Sequence, residues 1–106
     1  MPRLAPVEII HVICPDRLYV EALDRGQFAS SIWVVADRAA NQAKRFALHR
    51  HRSEPSYLQG RIVQWSTVSR LGQGKMPTGK RFVFEAGGPA VSWPERSGNG
   101  EKAYTR

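Results

Sequence analysis

The side chains best suited to chemistry are concentrated between residues 44 and 52, where lysine, arginine and histidine follow one another closely. Side chains alternate between the two faces of a strand, so a strand over residues 46–51 would divide these cations into two sets. One face would carry Arg45, His49 and His51, and the other Phe46, Leu48, Arg50 and Arg52. Arginine offers a fork of donors and histidine adds donors whose charge depends on pH, which suits contact with phosphate. The same run also suits a solvated edge strand that charge protects from aggregation.

Metal binding and catalysis are the two alternatives for this cluster. His49 and His51 supply only two metal ligands, and no Cys or Asp/Glu pattern nearby completes a tetrahedral set, so we expect neither a metal nor another cofactor. His49 or His51 with Glu54 would form the acid–base pair of a small hydrolase or nuclease, although Glu54 beside Pro55 is also typical of a turn. Cys14 ends an apolar run, which indicates a buried and inert thiol. The sequence favours a protein without catalytic residues and leaves the hydrolase alternative open.

Aromatic residues form a second candidate feature. Four of them lie in or beside predicted strands, namely Trp33, Tyr57, Trp65 and Trp93. Such rings can stack on the bases of single-stranded nucleic acid or on a flipped base, and core packing is the alternative role for each of them. Basic and aromatic residues are interleaved over residues 44–65, which favours a nucleic-acid partner.

Net charge is distributed unevenly along the chain. Of the total of +7, residues 1–43 contribute −1, with four Lys/Arg and five Asp/Glu, whereas residues 44–106 contribute +8, with twelve and four. This asymmetry predicts a basic surface for a polyanion, although a solubility charge or a membrane-surface contact would also produce it. A loop over residues 70–80 contains glycines and lysines without the spacing of a phosphate-binding loop, and we expect its lysines to contact phosphates. The predicted contacts are Arg45, His49, Arg50, His51, Arg52, Arg61, Lys75, Lys80 and Arg81.

Length and composition predict one domain spanning residues 1–106. The apolar share of 42% is ordinary for a globular protein, and the longest apolar stretches fall far short of the roughly 20 residues that a spanning helix needs. No signal peptide is recognised at the N-terminus, and the single cysteine fits a reducing compartment, so we expect a cytoplasmic protein that does not enter a membrane. Residues from about 94 to 106 are expected to be loosely held unless Trp93 and Tyr104 anchor them.

Local patterns predict five or six strands and one or two short helices. Strands are expected at 7–14, 31–36, 46–51, 57–65, 81–85 and 90–93, and helices at 16–23 and, after an Asp37 cap, 38–45. Gly60 inside its strand indicates a bulge or a close approach to the backbone. The strands do not alternate with long helices. We therefore predict a β-rich α+β fold, either a small barrel or a strongly curved, mostly antiparallel sheet.

The passage from Ile32 to Ala36, the helix start at Asp37, the strand from Phe46 to Arg52 and the segment from Tyr57 to Val63 together resemble PUA-like domains. This superfamily contains the EVE and ASCH families, which are small β-barrels with short helices. The resemblance, which covers roughly residues 31–85, implies binding of RNA or recognition of a modified base in DNA in an aromatic-walled pocket. It makes Trp33 the candidate pocket wall and suggests Ser53, Tyr57 and Gln59 as hydrogen-bonding or stacking partners.

The sequence thus leads to three hypotheses. The first is a non-catalytic domain that binds RNA or DNA through the contacts named above, with one or two aromatic side chains, such as Trp65, stacking on bases. The second is a small hydrolase or nuclease that uses His49 or His51 with Glu54. The third is an interaction module that docks on an acidic partner or forms a homodimer through a strand edge; the sequence does not predict the oligomeric state.

Overall fold

Seven strands and one short helix make up the regular structure of the computed structural model, which describes residues 5–17, 19–69, 78–94 and 101–106. The strands are β1 (Ile9–Ile13), β2 (Glu21–Ala22), β3 (Gln27–Ala29), β4 (Arg45–His49), β5 (Leu58–Ser69), β6 (Thr78–Ala86) and β7 (Lys102–Thr105). The helix is α1 (Asp37–Gln42), and two 3₁₀ turns cover Pro15–Arg17 and Asp24–Gly26. The predicted strand-rich fold with few helices is confirmed.

All seven strands belong to one mixed sheet in the order β2-β3-β6-β5-β4-β1-β7. The pair β1 and β4 is parallel, with Ile9 opposite Arg45, and every other pair is antiparallel. A parallel pair needs a long crossover, and here the crossover carries β2, β3 and α1. Ala39 and Ala40 of α1 are buried in the core that this crossover covers.

The core is centred on three phenylalanines that pack against one another. Phe46 of β4 lies 4.9 Å from Phe82 and 5.5 Å from Phe84, measured between ring centroids, and the two partners belong to β6. All three side chains are fully buried, as are Ile10 and Leu48. Every residue from Phe46 to His49 is buried, so β4 is covered on both faces. The strand that carries the predicted cationic face is therefore a central strand of the sheet.

The predicted helix over residues 16–23 is wrong. Asp16, Arg17 and Tyr19 have φ angles of 58°, 56° and 60°, in the left-handed region, where a right-handed helix cannot continue. The chain instead makes its first 3₁₀ turn and then the edge strand β2. The predicted helix over 38–45 is shorter than expected, because Ala43 is already extended and Arg45 begins β4.

The two remaining predicted strands are not regular strands. In the segment 31–36 only Trp33 forms a bridge, to Lys80 of β6. Residues 90–93 belong to no strand. Both segments lack a continuous partner with which to form a ladder, which is why their β-type composition did not produce one.

The hairpin of β5 and β6 is longer than predicted, with pairing that extends to Ser69 opposite Thr78. Residues 78–80 of the predicted loop therefore belong to β6, whereas Lys75 lies outside the described residues. The close approach expected at Gly60 is confirmed, since a Cβ there would lie 1.9 Å from the main-chain oxygen of Glu85. The register shift occurs two residues later, between Ile62 and Gln64.

The end of the chain is attached to the sheet. Strand β7 pairs with β1, Trp93 is 7% exposed, and Tyr104 packs against the core. These are the two anchors named from the sequence, and both are in place. Within the described ranges, no helix is long and apolar enough to cross a membrane.

Candidate nucleic-acid interface

Two cavities share part of their lining. The larger, here called the Trp33 pocket, has a volume of about 640 Å³ and is lined by Ile13, Cys14, Pro15, Tyr19, Ser31, Ile32, Trp33, Val34, Arg81, Glu101 and Lys102. The smaller, here called the basic groove, has a volume of about 460 Å³ and is lined by Ile13, Arg50, His51, Arg52, Ser53 and Glu101. Ile13 and Glu101 line both cavities, so the two adjoin each other.

The Trp33 pocket forms where the two ends of the sheet approach each other. Beyond β3 the chain stays beside β6 as far as Trp33, through the hydrogen bond from Ser30 N to Phe82 O and the isolated bridge between Trp33 and Lys80. Strand β2 pairs only as far as Ala29, so it does not cover this continuation. From the other end of the sheet, Lys102 Nζ of β7 donates to Val34 O at 2.5 Å. The Lys102 side chain thus connects β7 to the segment that follows β3, beside the pocket.

The wall of the Trp33 pocket combines apolar surface with a few charged groups. Arg81 is held in place by a hydrogen bond from its Nε to Ser30 O, 3.1 Å long. Burial lowers the pKa of the Lys102 amine, which lies against the same wall. Pockets of a few hundred cubic ångströms with an apolar wall and a few convergent polar groups are the usual form of small-ligand sites.

Trp33, the candidate wall residue suggested by the resemblance to PUA-like domains, is one of the residues that line this pocket. The ring is partly buried and packs against the core. Its Nε1 is buried and has no hydrogen-bond partner among the described residues. In contrast to the partly buried Trp33, Tyr19 is 76% exposed, and it is the second aromatic residue that lines the pocket.

The basic groove is built by the turn that follows β4. Arg50, His51, Arg52 and Ser53 are all exposed there. The guanidinium of Arg50 lies over the Tyr57 ring, 5.2 Å from the ring centroid, and makes a cation–π contact with it. Tyr57 is fixed in turn, since its hydroxyl donates to Cys14 O and accepts from the Arg17 N–H. Burial raises the pKa of the Tyr57 hydroxyl, so Tyr57 stays a neutral hydrogen-bonding group.

The predicted face shared by Arg45, His49 and His51 is wrong, because His49 is fully buried. Its Nε2 lies 2.8 Å from His11 Nδ1, and its Nδ1 lies 3.1 Å from the main-chain oxygen of Glu54. Alternation gives one exposed face only when a strand is half buried, and β4 is covered on both sides. His49 is therefore a core residue that cannot reach a ligand at the surface.

The buried histidines form a chain of hydrogen bonds that ends at β7, where His11 Nε2 lies 2.6 Å from Thr105 Oγ1. Trp93 packs edge-on against both rings, with centroids 5.9 Å from His11 and 5.1 Å from His49. Burial, with the nearby His49 as a smaller cause, lowers the pKa of His11 to about 4. Burial also lowers the pKa of His49, against the opposing effect of its hydrogen bond to Glu54 O. Both rings are thus neutral at physiological pH.

Three other predicted contacts are engaged within the protein. Lys80 is 8% exposed, pairs with the Asp37 carboxylate at 2.7 Å and donates to Val35 O, so it is unavailable as a surface phosphate contact and that prediction is wrong. Arg61 pairs with Glu85 at 3.7 Å. Arg45 lies on the same side and donates to Gly87 O at 3.4 Å.

The remaining predicted residues occupy separate positions. Trp65 lies beneath the Lys80 amine, 5.3 Å from ring centroid to Nζ, and lines neither cavity. Gln59 donates to Gly88 O and accepts from the Ser56 hydroxyl. Cys14 is buried, as the sequence indicated, although it also forms part of the wall of the Trp33 pocket.

The geometry required for the hydrolase alternative is only partly present. His49 contacts the main-chain oxygen of Glu54 and not its carboxylate. The exposed His51 does pair with that carboxylate, at 4.0 Å. Across the described residues, no group of three His, Cys, Asp or Glu side chains could hold a metal ion.

The structure brings together Trp33, Arg81 and the run Arg50–Ser53, which the sequence had placed in one functional set. Sequence reasoning missed most of the other lining residues, among them Tyr19, Glu101 and Lys102. Their spacing along the chain carries no signal, because the cavities are assembled from segments that lie far apart in sequence. Comparison of the chain with known protein families, curated proteins and solved structures finds no match.

Proposed function

We propose that this domain binds nucleic acid without catalysing a reaction, with one base in the Trp33 pocket and the neighbouring phosphates on the basic groove. The observation that carries the proposal is the shared lining of the two cavities by Ile13 and Glu101. An aromatic-walled pocket next to a cationic groove matches the two chemical parts of a nucleotide. Rings provide stacking that every base can use, and arginines provide charge-assisted hydrogen bonds to phosphate.

The charges of the described residues support the placement of phosphate on the turn. Away from the turn, Lys44 pairs with Glu8 and Arg61 pairs with Glu85. On the turn, Arg50 and Arg52 accompany a single acid, Glu54, which lies against His51. All three basic side chains of this turn, Arg50, His51 and Arg52, are exposed, and arginine is a residue type well suited to phosphate.

The PUA-like barrel belongs to the same proposal. The hydrogen bond from Lys102 to Val34 O joins the last strand to the continuation of the third, which supports curvature of the barrel type. Trp33 then occupies the wall position that the resemblance implied. A base in a pocket of this kind must be unpaired, because a base stacked within a duplex cannot enter it.

The salt dependence of binding tests the role of the turn. We expect mixed RNA and DNA oligonucleotides to bind at low salt, with log K falling linearly as log salt rises, by about 0.7 per phosphate neutralised on a single strand. The double variant Arg50→Gln/Arg52→Gln should reduce the magnitude of this slope by about 1.4, since two phosphate contacts are lost. The matched control is Arg25→Gln/Arg38→Gln, which removes the same charge from exposed positions outside both cavities. Absence of binding by the native protein at low salt would exclude the proposal.

Stacking in the pocket is tested by Trp33→Leu. Loss of one base–ring stack is worth about 1–3 kcal/mol, so affinity for a single-stranded oligonucleotide should fall about 5- to 150-fold. Trp65→Leu is the control, because Trp65 is also partly buried but lies outside both cavities. Affinity measured by fluorescence anisotropy should be close to native for that control. Equal losses in the two variants would place the base elsewhere.

A further inference from the structure

Glu101 occupies an unexpected place for an acid, at the junction of two cavities that otherwise carry cations. It lines both the Trp33 pocket and the basic groove. Its position is fixed by its own backbone, since Glu101 O accepts from Ile13 N at 2.7 Å where β1 and β7 meet. A carboxylate here weakens the attraction of the site for phosphate, so phosphate binding alone does not account for it.

Glu101 also differs from most other acids of the described residues in its ion pairing. Four carboxylates of the described residues lie within ion-pairing distance of a basic side chain, in the pairs Glu8–Lys44, Asp37–Lys80, Glu54–His51 and Glu85–Arg61. Glu101 forms no ion pair with a described residue, although Arg81 and Lys102 line the same pocket. The other acids without an ion pair in the described ranges, Asp16, Glu21 and Asp24, line neither cavity. Glu101 is thus an acceptor available to a ligand.

The hydrogen-bonding edges of the bases determine which ligand suits this acceptor. Cytosine presents its N4 amino group as a donor, and an acidic side chain is the residue type that accepts from it. Adenine and guanine also carry an amino group beside an acceptor, which matches a carboxylate next to the donors of Lys102 and Arg81. Uracil and thymine present a carbonyl oxygen where cytosine has its amino group, and two acceptors facing each other repel.

From this arrangement we infer that the Trp33 pocket selects a base with an exocyclic amino group, and that Glu101 is the specificity-determining residue that accepts from it. The inference rests on the proposed function, because it concerns the base that occupies the same pocket. It adds that the site discriminates between bases, which stacking on Trp33 and phosphate contacts alone would not do.

The experiment compares labelled oligodeoxycytidine with oligodeoxyuridine of equal length. The two bases differ in the amino or carbonyl group at C4 and in N3, which accepts in cytosine and donates in uracil. Fluorescence anisotropy at one low salt concentration gives the affinity of the native protein, Glu101→Gln and Glu21→Gln for each oligomer. One base contact is worth about 1–3 kcal/mol, so the native protein should prefer cytidine by about fivefold or more. In Glu101→Gln the ratio of the affinities for cytidine and uridine oligomers should fall towards one, because the glutamine amide both donates and accepts. Glu21→Gln removes the same charge at an exposed position that lines neither cavity and should keep the native preference.

The possible outcomes separate the inference from the proposed function. Equal native affinities for the two oligomers, or a preference that survives in Glu101→Gln, would overturn the inference while salt-dependent binding still supports the function. If neither oligomer binds the native protein at low salt, the proposed function itself fails. The Glu101 side chain is exposed, so the variant should fold normally, which equal thermal unfolding midpoints would verify.

Discussion

Acidification from pH 6.5 to pH 4 should cost this domain about 3 kcal/mol of folding stability through His11 alone. The folded protein holds the pKa of His11 near 4, whereas the unfolded chain has the ordinary value of 6.5. Below pH 6.5 the unfolded state therefore binds more protons than the folded state. The contribution of the neutral ring is complete above pH 6.5 and is lost progressively as the pH falls towards 4. The lowered pKa of His49 adds to this loss.

The hydrogen-bond network explains why the rings are neutral. A main-chain oxygen can only accept, so His49 donates through Nδ1 to Glu54 O and leaves its Nε2 as an acceptor. His11 then donates through Nδ1 to that acceptor, and its Nε2 accepts from the Thr105 hydroxyl. This assignment of tautomers satisfies every ring nitrogen with no net charge. Protonation of both rings would place two protons between nitrogens that lie 2.8 Å apart.

Urea unfolding at a series of pH values measures this effect. Between pH 6.5 and 5, which lies above the usual pKa of carboxylates, the native protein should lose stability with each step. His11→Asn should lower stability at neutral pH and flatten the dependence, because one titrating ring is gone. His51→Asn changes an exposed histidine and should keep the native pH dependence. If the free energy of unfolding falls equally with pH in His11→Asn and in the native protein, His11 is not the cause of the loss of stability.

Gly60→Ala should destabilise the fold by about 3 kcal/mol or more, although it adds a single methyl group. A Cβ at this position would lie 1.9 Å from Glu85 O, 2.5 Å from Glu85 C and 2.9 Å from Ala86 Cα. All three atoms belong to the backbone of β6, so no side-chain rotation can relieve the overlap. Because β5 is paired with β4 on its other side, it cannot move away without breaking a second ladder.

The control for this prediction is Gly26→Ala. Gly26 has a φ of 74°, but a Cβ there would meet no atom within 4 Å. The cost should therefore be only the backbone strain, about 1 kcal/mol. Urea midpoints of the two variants should differ clearly, with Gly60→Ala the less stable or unfolded. Equal midpoints would mean that the strands separate at little cost.

Several features of the protein were determined by local sequence. Runs of β-branched and aromatic residues specified β1, β4, β5 and β6, since such side chains favour extended backbone wherever a neighbour is available. Gly60 indicated a close approach before any partner was known, because only a residue without Cβ fits there. The resemblance to PUA-like domains made Trp33 a candidate pocket wall, and Trp33 lines the larger cavity.

Tertiary structure alone decided which side chains can meet a ligand. His49 and Lys80 read as surface cations, yet β4 and the start of β6 are enclosed by elements that alternation along one strand cannot reveal. The cavities depend on Ile13, Trp33 and Glu101, which are brought together only when β7 pairs with β1 and the continuation of β3 pairs with β6. Composition thus determined the excess of positive charge, whereas long-range strand pairing determined its exposure and the pocket beside it.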